Sequence, residues 1–252
     1  MADIFAKYHQ MIFKGIGYTM LVSIIGTIIG LVIGLLIGVF RTMPTPKNKF
    51  LRVLKKAADW ILSAYVEIFR GTPMMVQAMV IFWGFALINN GVTLNVVFAG
   101  LFIVSINTGA YMAEIVRGGI ISVSKGQFEG AHAIGMTHAQ TMFYVVIPQV
   151  LRNILPSVAN EFVINIKDTS VLNVIGVTEL YFFTNVIVKQ TYKNFPIYFI
   201  CCVIYFIMTF TITRILRLVE KLLAGKDNYT ICGSQTDAAA MIKVTKEGIP
   251  ND

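Results

Sequence analysis

The sequence predicts an all-α polytopic membrane protein of about five transmembrane helices, with a water-exposed helical segment over residues 124–148. Three observations predict it. Charged residues make up 13% of the chain against 56% hydrophobic, whereas a soluble domain carries about a quarter charged residues to coat its surface. The apolar residues gather in runs long enough for a bilayer core, which takes about 20 helical residues. The basic residues gather between those runs, as they do in loops flanking membrane helices. That distribution also accounts for the net charge of +8 and argues against nucleic-acid binding.

Residues 15–40 contain no Lys, Arg, Asp or Glu and form the first span. Residues 71–113 are also free of charge and long enough for two spans, with Asn89-Asn90-Gly91 as the turn between them. Residues 154–175 cross in spite of Glu161, Lys167 and Asp168, and residues 194–213 form the last span. The segment 41–56 holds Arg41, Lys47, Lys49, Arg52, Lys55 and Lys56 without an acid, which places it in the cytoplasm. Five spans then put the N-terminus outside and the C-terminus inside, with segment 124–148 cytoplasmic. Lys7 and Lys14 fall on the outer side as an exception to the rule. The first apolar run is too long for a signal-peptide core, and no small-x-small cleavage site follows it.

Smaller patterns refine this picture. Gly26, Gly30, Gly34 and Gly38 recur every fourth residue, so one face of the first span lets another backbone approach closely. Residues 57–69 are amphipathic, with Trp60, Ile61, Ala64, Tyr65 and Ile68 on one face and Asp59, Ser63, Glu67 and Arg70 on the other. This predicts a short interfacial helix ending at Arg70, with a Glu67–Arg70 pair. Gly71 should break it, Thr72 cap the next helix and Pro73 open that helix. In the segment 124–148, Ser124–Gln127 and Thr137–Gln140 each read as a capping box, and Gly135 between them suits a helix C-terminus. The prediction is helix, sharp turn, helix, stopped near Pro148.

Ser157, Glu161, Asn165 and Asp168 fall within about 80° on one helix face at membrane depth. Ionisable groups there face a bundle interior or a water-filled cavity. The stripe either lines a solute path or locks helices together. Asn107, Tyr111 and Glu114 form a smaller stripe in which Glu114 can pair with Arg117. The three cysteines, Cys201, Cys202 and Cys232, have no disulfide or metal spacing, and His9, His132 and His138 have no ligand spacing with them. No metal site is expected. No G-x-x-x-x-G-K-[ST] phosphate loop occurs, and no triad or metal constellation marks an enzyme.

The residues Glu129-Gly130-Ala131, Gly135, Val145, Ile147 and Pro148 resemble the EAA motif of type I ABC importer permeases. The family pattern is Glu-Ala-Ala, three residues, Gly, nine residues, Ile-x-Leu-Pro, with Gly130 here in place of the first Ala. The run Glu67–Pro73 with Gln77, then Ala110–Glu114, Gly126–Glu129, Pro148-Gln149 and Lys167–Ser170, is similar to the polar amino acid uptake subfamily. The resemblance covers about residues 15–223, a transmembrane permease domain. Residues 224–252 lie outside it and read as a flexible cytoplasmic tail.

The resemblance implies one permease subunit of an amino acid importer in a bacterial cytoplasmic membrane. Its implied partners are a second permease subunit, identical or paralogous, two cytoplasmic ATPase subunits that bind ATP and Mg, and an external amino-acid-binding protein. It further implies that Glu129, Gly130, Ala131 and Gly135 couple to the ATPase. Of the two readings of the stripe, a lining of the substrate pathway makes Ser157, Glu161, Asn165 and Asp168 its candidate contacts to a polar amino acid. An ion-driven secondary transporter relaying a proton or sodium through Glu161 or Asp168 is the alternative.

Overall fold

A computed structural model describes residues 2–223, with side chains over 5–222. Cys232 and the rest of segment 224–252 lie outside the described residues. The helices, in chain order, are α1 (Ala2–Thr42), α2 (Lys49–Gly71), α3 (Met74–Ile88), α4 (Val96–Ser122), α5 (Lys125–Ala133) and α6 (His138–Gln140). A π-helical stretch, Thr141–Val146, leads into α7 (Ile147–Asp168). A 3-10 stretch, Thr169–Ile175, then precedes α8 (Leu180–Thr191) and α9 (Asn194–Leu223). No strand occurs among the described residues.

Among the described residues, four helical stretches are long and apolar enough to cross a membrane. A fifth crossing exists if α2 and α3, bent by 114° at Thr72-Pro73, count as one broken span. This revises how the second crossing is made. The 15 residues of α3 reach only about 22 Å at 1.5 Å per residue, short of a hydrocarbon core of about 30 Å, so α3 needs the end of α2 to complete the distance. The helix expected over 57–69 runs from Lys49, where the Asn48 side chain accepts a hydrogen bond from the Phe50 amide.

The α2 side chains also do not sort as in a soluble amphipathic helix. Trp60, Ile61 and Ile68 are exposed, while Ser63 accepts a hydrogen bond from Arg41 Nη2 (3.2 Å) and the Tyr65 hydroxyl donates to the Ile106 carbonyl. Where the outside is lipid, apolar side chains gain nothing by turning inward, and polar groups go where partners are.

The α1–α4 contact organises the bundle. A Cβ on Gly26, Gly30, Gly34 or Gly38 would lie within 3 Å of Val104, Thr108, Met112 or Val116 respectively. Both series advance by four residues in the same direction, so α1 and α4 run parallel at the closest separation side chains permit. Helix α7 runs antiparallel to α4: Asn165 meets Thr108 while Ile154 sits against Gly119. The start of α9 packs with the start of α1 through Ile12, Ile197 and Cys201, together with Leu180 and Ile187 of α8. Helix α8 has no hydropathy signature of a span. Its N-terminus is capped by Glu179, whose carboxylate accepts from the Tyr181 and Phe182 amides and from the Tyr205 hydroxyl.

Two termination signals act differently from expectation. Pro148 does not stop a helix: it falls within the continuous helical path from His138 to Ile175, at the start of α7. The π stretch just before it makes the change of hydrogen-bond register, with the Ile147 amide bonded to the Met142 carbonyl. Thr72 ends α2, and its hydroxyl receives Gln77 instead of capping α3.

Gly34→Leu forces α1 off the α4 backbone. It is expected to cost at least the 1–3 kcal/mol typical of overpacking, read as a lower unfolding temperature of purified protein. Gly17→Leu, where a Cβ meets nothing within 4 Å, should leave that temperature unchanged; equal behaviour of the two would contradict the close approach.

Candidate functional site

The exposed segment between α4 and α7 is a compact knob. Val123 ends α4, and Ser124 begins α5 without a side-chain cap bond. The first expected capping box is thus absent: Gln127 instead accepts a hydrogen bond from Gln149 Nε2 (3.3 Å), linking α5 to the start of α7. The second box forms in full. The Thr137 hydroxyl accepts from the Gln140 amide, and Gln140 Oε1 accepts from the Thr137 amide (2.8 Å). Between them Gly135 takes φ +81°, a left-handed conformation that only glycine adopts without steric cost.

The four motif residues sit differently on this knob. Ala131 is buried, while Glu129, Gly130 and Gly135 are exposed. Glu129 makes no ion pair or hydrogen bond among the described residues, and a Cβ on Gly130 would meet nothing within 4 Å. Nothing among the described residues therefore requires glycine at 130. Phe128 packs inward on a cluster of Val123, Met142 and Val146 that anchors the knob to the helices. Ile134, Phe143 and Tyr144 are 75%, 68% and 75% exposed. Three large apolar side chains are thus uncovered on the segment that carries the exposed Glu129. The sequence reading passed over these three because they lie outside the motif.

The second candidate region lies at membrane depth. Thr27 stands at the centre of the charge-free run 15–40, about 21 Å along α1 from Arg41 at 1.5 Å per residue. Asn165 Nδ2 donates to Thr27 Oγ1 (2.8 Å), and the Asn165 amide and the Thr108 hydroxyl are also within hydrogen-bond distance. Of the four stripe residues, Asn165 is thereby committed to joining α1, α4 and α7. Ser157 is half-buried and Asp168 exposed. Glu161 is 8% exposed yet has no hydrogen bond or ion pair among the described residues.

Next to Asn165, the α2–α3 break exposes carbonyls that a bilayer cannot hydrate. Gln77 Nε2 donates to the carbonyls of Phe69 and Thr72 (both 2.9 Å), and Asn107 Nδ2 donates to Gln77 Oε1 (2.9 Å). The break leaves Arg70 free of Glu67: no pair joins them, and the guanidinium lies 5.5 Å from the Tyr111 ring centre. Arg70 and Asp168 are the charged groups within electrostatic reach of Glu161. Arg70, at the end of α2, is the charged neighbour of Glu161 that sequence reasoning assigned elsewhere.

Nearer the basic end, Glu114 accepts from Arg117 as expected (2.7 Å) and also from Arg41 (2.6 Å). This ties α1 to α4 below the stripe.

A family model described as binding-protein-dependent transport system inner membrane component matches residues 30–225. The chain belongs to this family. Among relatives, the glutamine transport system permease protein GlnP of Escherichia coli strain K12 is 36% identical over 164 residues, 65% of this chain and 75% of that protein. The L-cystine transport system permease protein TcyB of Bacillus subtilis is 39% identical over 163 residues, 64% and 69% of the two chains. A solved structure, described as an amino acid ABC transporter with histidines, superposes with a TM-score of 0.73 at 36% identity, covering 86% of this chain and 95% of its own. The MetNI methionine ABC transporter, in an inward-facing conformation, shares the fold alone, with a TM-score of 0.64 at 18% identity over 84% and 98%. The chain is a transport permease subunit of the inner membrane, and none of these similarities favours an ion-coupled carrier.

The two buried stripe residues of this permease should separate in their effects. Asn165→Ala leaves two threonine hydroxyls unpaired in the bundle and is expected to lower stability by about 1–2 kcal/mol, measured as thermal unfolding of the purified subunit. Glu161→Gln replaces an unpartnered buried carboxyl group with a neutral side chain of the same shape and should hold or raise the unfolding temperature; a fall equal to that of Asn165→Ala would show that Glu161 is a structural partner.

Proposed function

We propose that this permease is the membrane subunit of an ATP-driven importer of polar amino acids. The relatives' names and the family match support the substrate class and the need for an external binding protein. In this reading two permease subunits, identical or paralogous, enclose the pathway, and two cytoplasmic ATPase subunits bind ATP and Mg. The basic segment 41–56 supports a cytoplasmic knob, an external N-terminus and a cytoplasmic C-terminus.

The observation that carries the coupling role is the knob itself. It presents the free Glu129 carboxylate, an open Gly130 and the uncovered Ile134, Phe143 and Tyr144, while its other face is fixed to α4 and α7. The knob would fill a cleft of the ATPase, with Ala131 and Gly135 setting its shape and Glu129 anchoring it. Closure of the ATPases would then move α4 and α7 as levers. Glu129→Arg is expected to abolish ATPase recruitment and uptake at normal expression; unchanged uptake would remove Glu129 from this role. Gly130→Ala adds a methyl into open space and restores the family residue, so uptake should persist, whereas Gly130→Trp should uncouple a correctly folded subunit.

At the bend, an unpaired buried acid beside Asp168 and opposite Arg70 suits a zwitterion. Glu161 and Asp168 would face the amino group and Arg70 the carboxylate, with Ser157 at the edge of the path and Asn165 holding α7 in place. Arg70→Gln and Glu161→Ala are each expected to reduce uptake at least about tenfold, the loss of one charge-assisted contact of about 1.5–3 kcal/mol, while ATPase recruitment persists. Uptake in vesicles should stop with vanadate; persistence on an ion gradient alone would overturn the ATP-driven reading.

A further inference from the structure

The first turns of α2 leave the bundle at the edge of the bilayer. Lys55 Nζ lies 5.4 Å from the ring centre of Phe40, which is about 20 Å along α1 from Thr27 at 1.5 Å per residue. Half of a hydrocarbon core is about 15 Å, so this contact falls in the head-group layer. Tyr65, by contrast, donates to the Ile106 carbonyl and borders Gly109 together with Ile33. Ile33 is only about 9 Å along α1 from Thr27. Helix α2 therefore enters the core between Lys55 and Tyr65, and its first turn from Lys49 lies at head-group depth.

At that depth α2 turns an ordered surface away from the bundle. At 100° per residue, Phe50, Val53, Leu54, Ala57 and Ile61 fall within about 100° on one face, and all five are exposed. Lys49, Arg52 and Lys56 stand within about 60° of one another on one flank of this stripe. All three are exposed, and none pairs with a carboxylate among the described residues. Arg52 donates only to the Pro46 and Lys47 carbonyls (3.4 and 3.3 Å), which leave its charge uncompensated. Asp59 is held by Lys55 (2.7 Å), and Glu67 stands about 16 Å beyond Lys56 along the helix. Orienting the chain needs basic residues only on one side of the membrane; here they also line up beside an apolar face. That combination is complementary to an anionic head group and its acyl chains. The apolar face continues to Ile68, which is exposed at core depth, where a water-soluble partner cannot follow it.

We propose that the first three turns of α2 bind an anionic phospholipid, with Lys49, Arg52 and Lys56 around its head group and Phe50, Val53 and Leu54 against its acyl chains. Trp60, exposed one turn past Lys56, marks the boundary between the two, the depth at which its ring is favoured. The surface includes neither the knob nor Glu161 and Arg70, so it stands apart from the coupling and substrate readings.

Native mass spectrometry of the intact importer, delipidated and then titrated with phosphatidylglycerol or phosphatidylcholine, tests this. Phosphatidylglycerol should be retained in preference to phosphatidylcholine. Each of Lys49→Gln, Arg52→Gln and Lys56→Gln is expected to weaken that retention about five-fold, the factor given by about 1 kcal/mol per basic residue near an anionic head group. Lys193→Gln, at an exposed lysine before α9 and at the opposite end of the bundle, should leave it unchanged. Val53→Glu keeps every cation but places an acid within one turn of both Lys49 and Lys56. It should release the lipid too, which carries the test if a lysine variant fails to assemble. Equal retention of the two lipids by wild type, or undiminished phosphatidylglycerol on Val53→Glu, would overturn the proposal. So would a photo-crosslinker at Phe50 that labels an ATPase subunit or a second permease copy instead of lipid.

Discussion

The bundle depends on α1 lying against α4 with almost no side chain between them. In a bilayer, apolar burial gives no drive for helices to associate, so close van der Waals contact and interhelical hydrogen bonds must supply it. Four glycines in register with Val104, Thr108, Met112 and Val116 give that contact over most of the crossing. The close approach brings Thr27 and Thr108 near enough for one amide, that of Asn165, to bridge both. It also brings Arg41 within 2.6 Å of Glu114. Helix α7 is thus docked in the seam of a fixed pair, and the knob is held at both ends, by the C-terminus of α4 and the N-terminus of α7. A force on the knob would reach the stripe on α7 through one continuous helical path from His138 onward.

The second constraint is satisfaction of backbone groups where the helix breaks. A 114° bend near mid-membrane opens carbonyls of Phe69 and Thr72, and water is not available there to take them. Gln77 and Asn107 do so in relay. The bend has a functional consequence, because ending α2 there puts Arg70 on the Tyr111 ring and within reach of Glu161. Irregular backbone at membrane depth occurs where it is buried or lines a cavity, and the nearness of Arg70 to Glu161 at this one supports the substrate reading.

Much of this was legible in the sequence. Composition and run lengths gave the helical membrane class, and the spacing of Gly26, Gly30, Gly34 and Gly38 identified the packing face before its partner was known. What sequence could not supply was environment. The amphipathic pattern of 57–69 is the same whether its apolar face turns in or out, and here Trp60 and Ile61 turn out. The two cap patterns looked alike, yet only Thr137 forms its box, since Gln127 finds Gln149 across the knob. Pro148 read as a stop because the π stretch that accommodates it leaves no compositional mark. Among the stripe residues, one periodicity covered two roles: Asn165 is occupied by hydroxyls from two other helices, and Glu161 is left without a partner. Arg70 was read with its neighbour Glu67, since a bend cannot be seen in helical spacing.

The central claim is that the knob between α4 and α7 is where a separate ATPase subunit docks and drives this permease. A photo-crosslinking residue at Ile134, which is exposed and outside the motif, tests it most directly in membranes holding the assembled importer. The account predicts a single major adduct with the ATP-binding subunit, changing in yield between nucleotide-free and vanadate-trapped states. Adducts with lipid or the external binding protein alone, in either state, would contradict it.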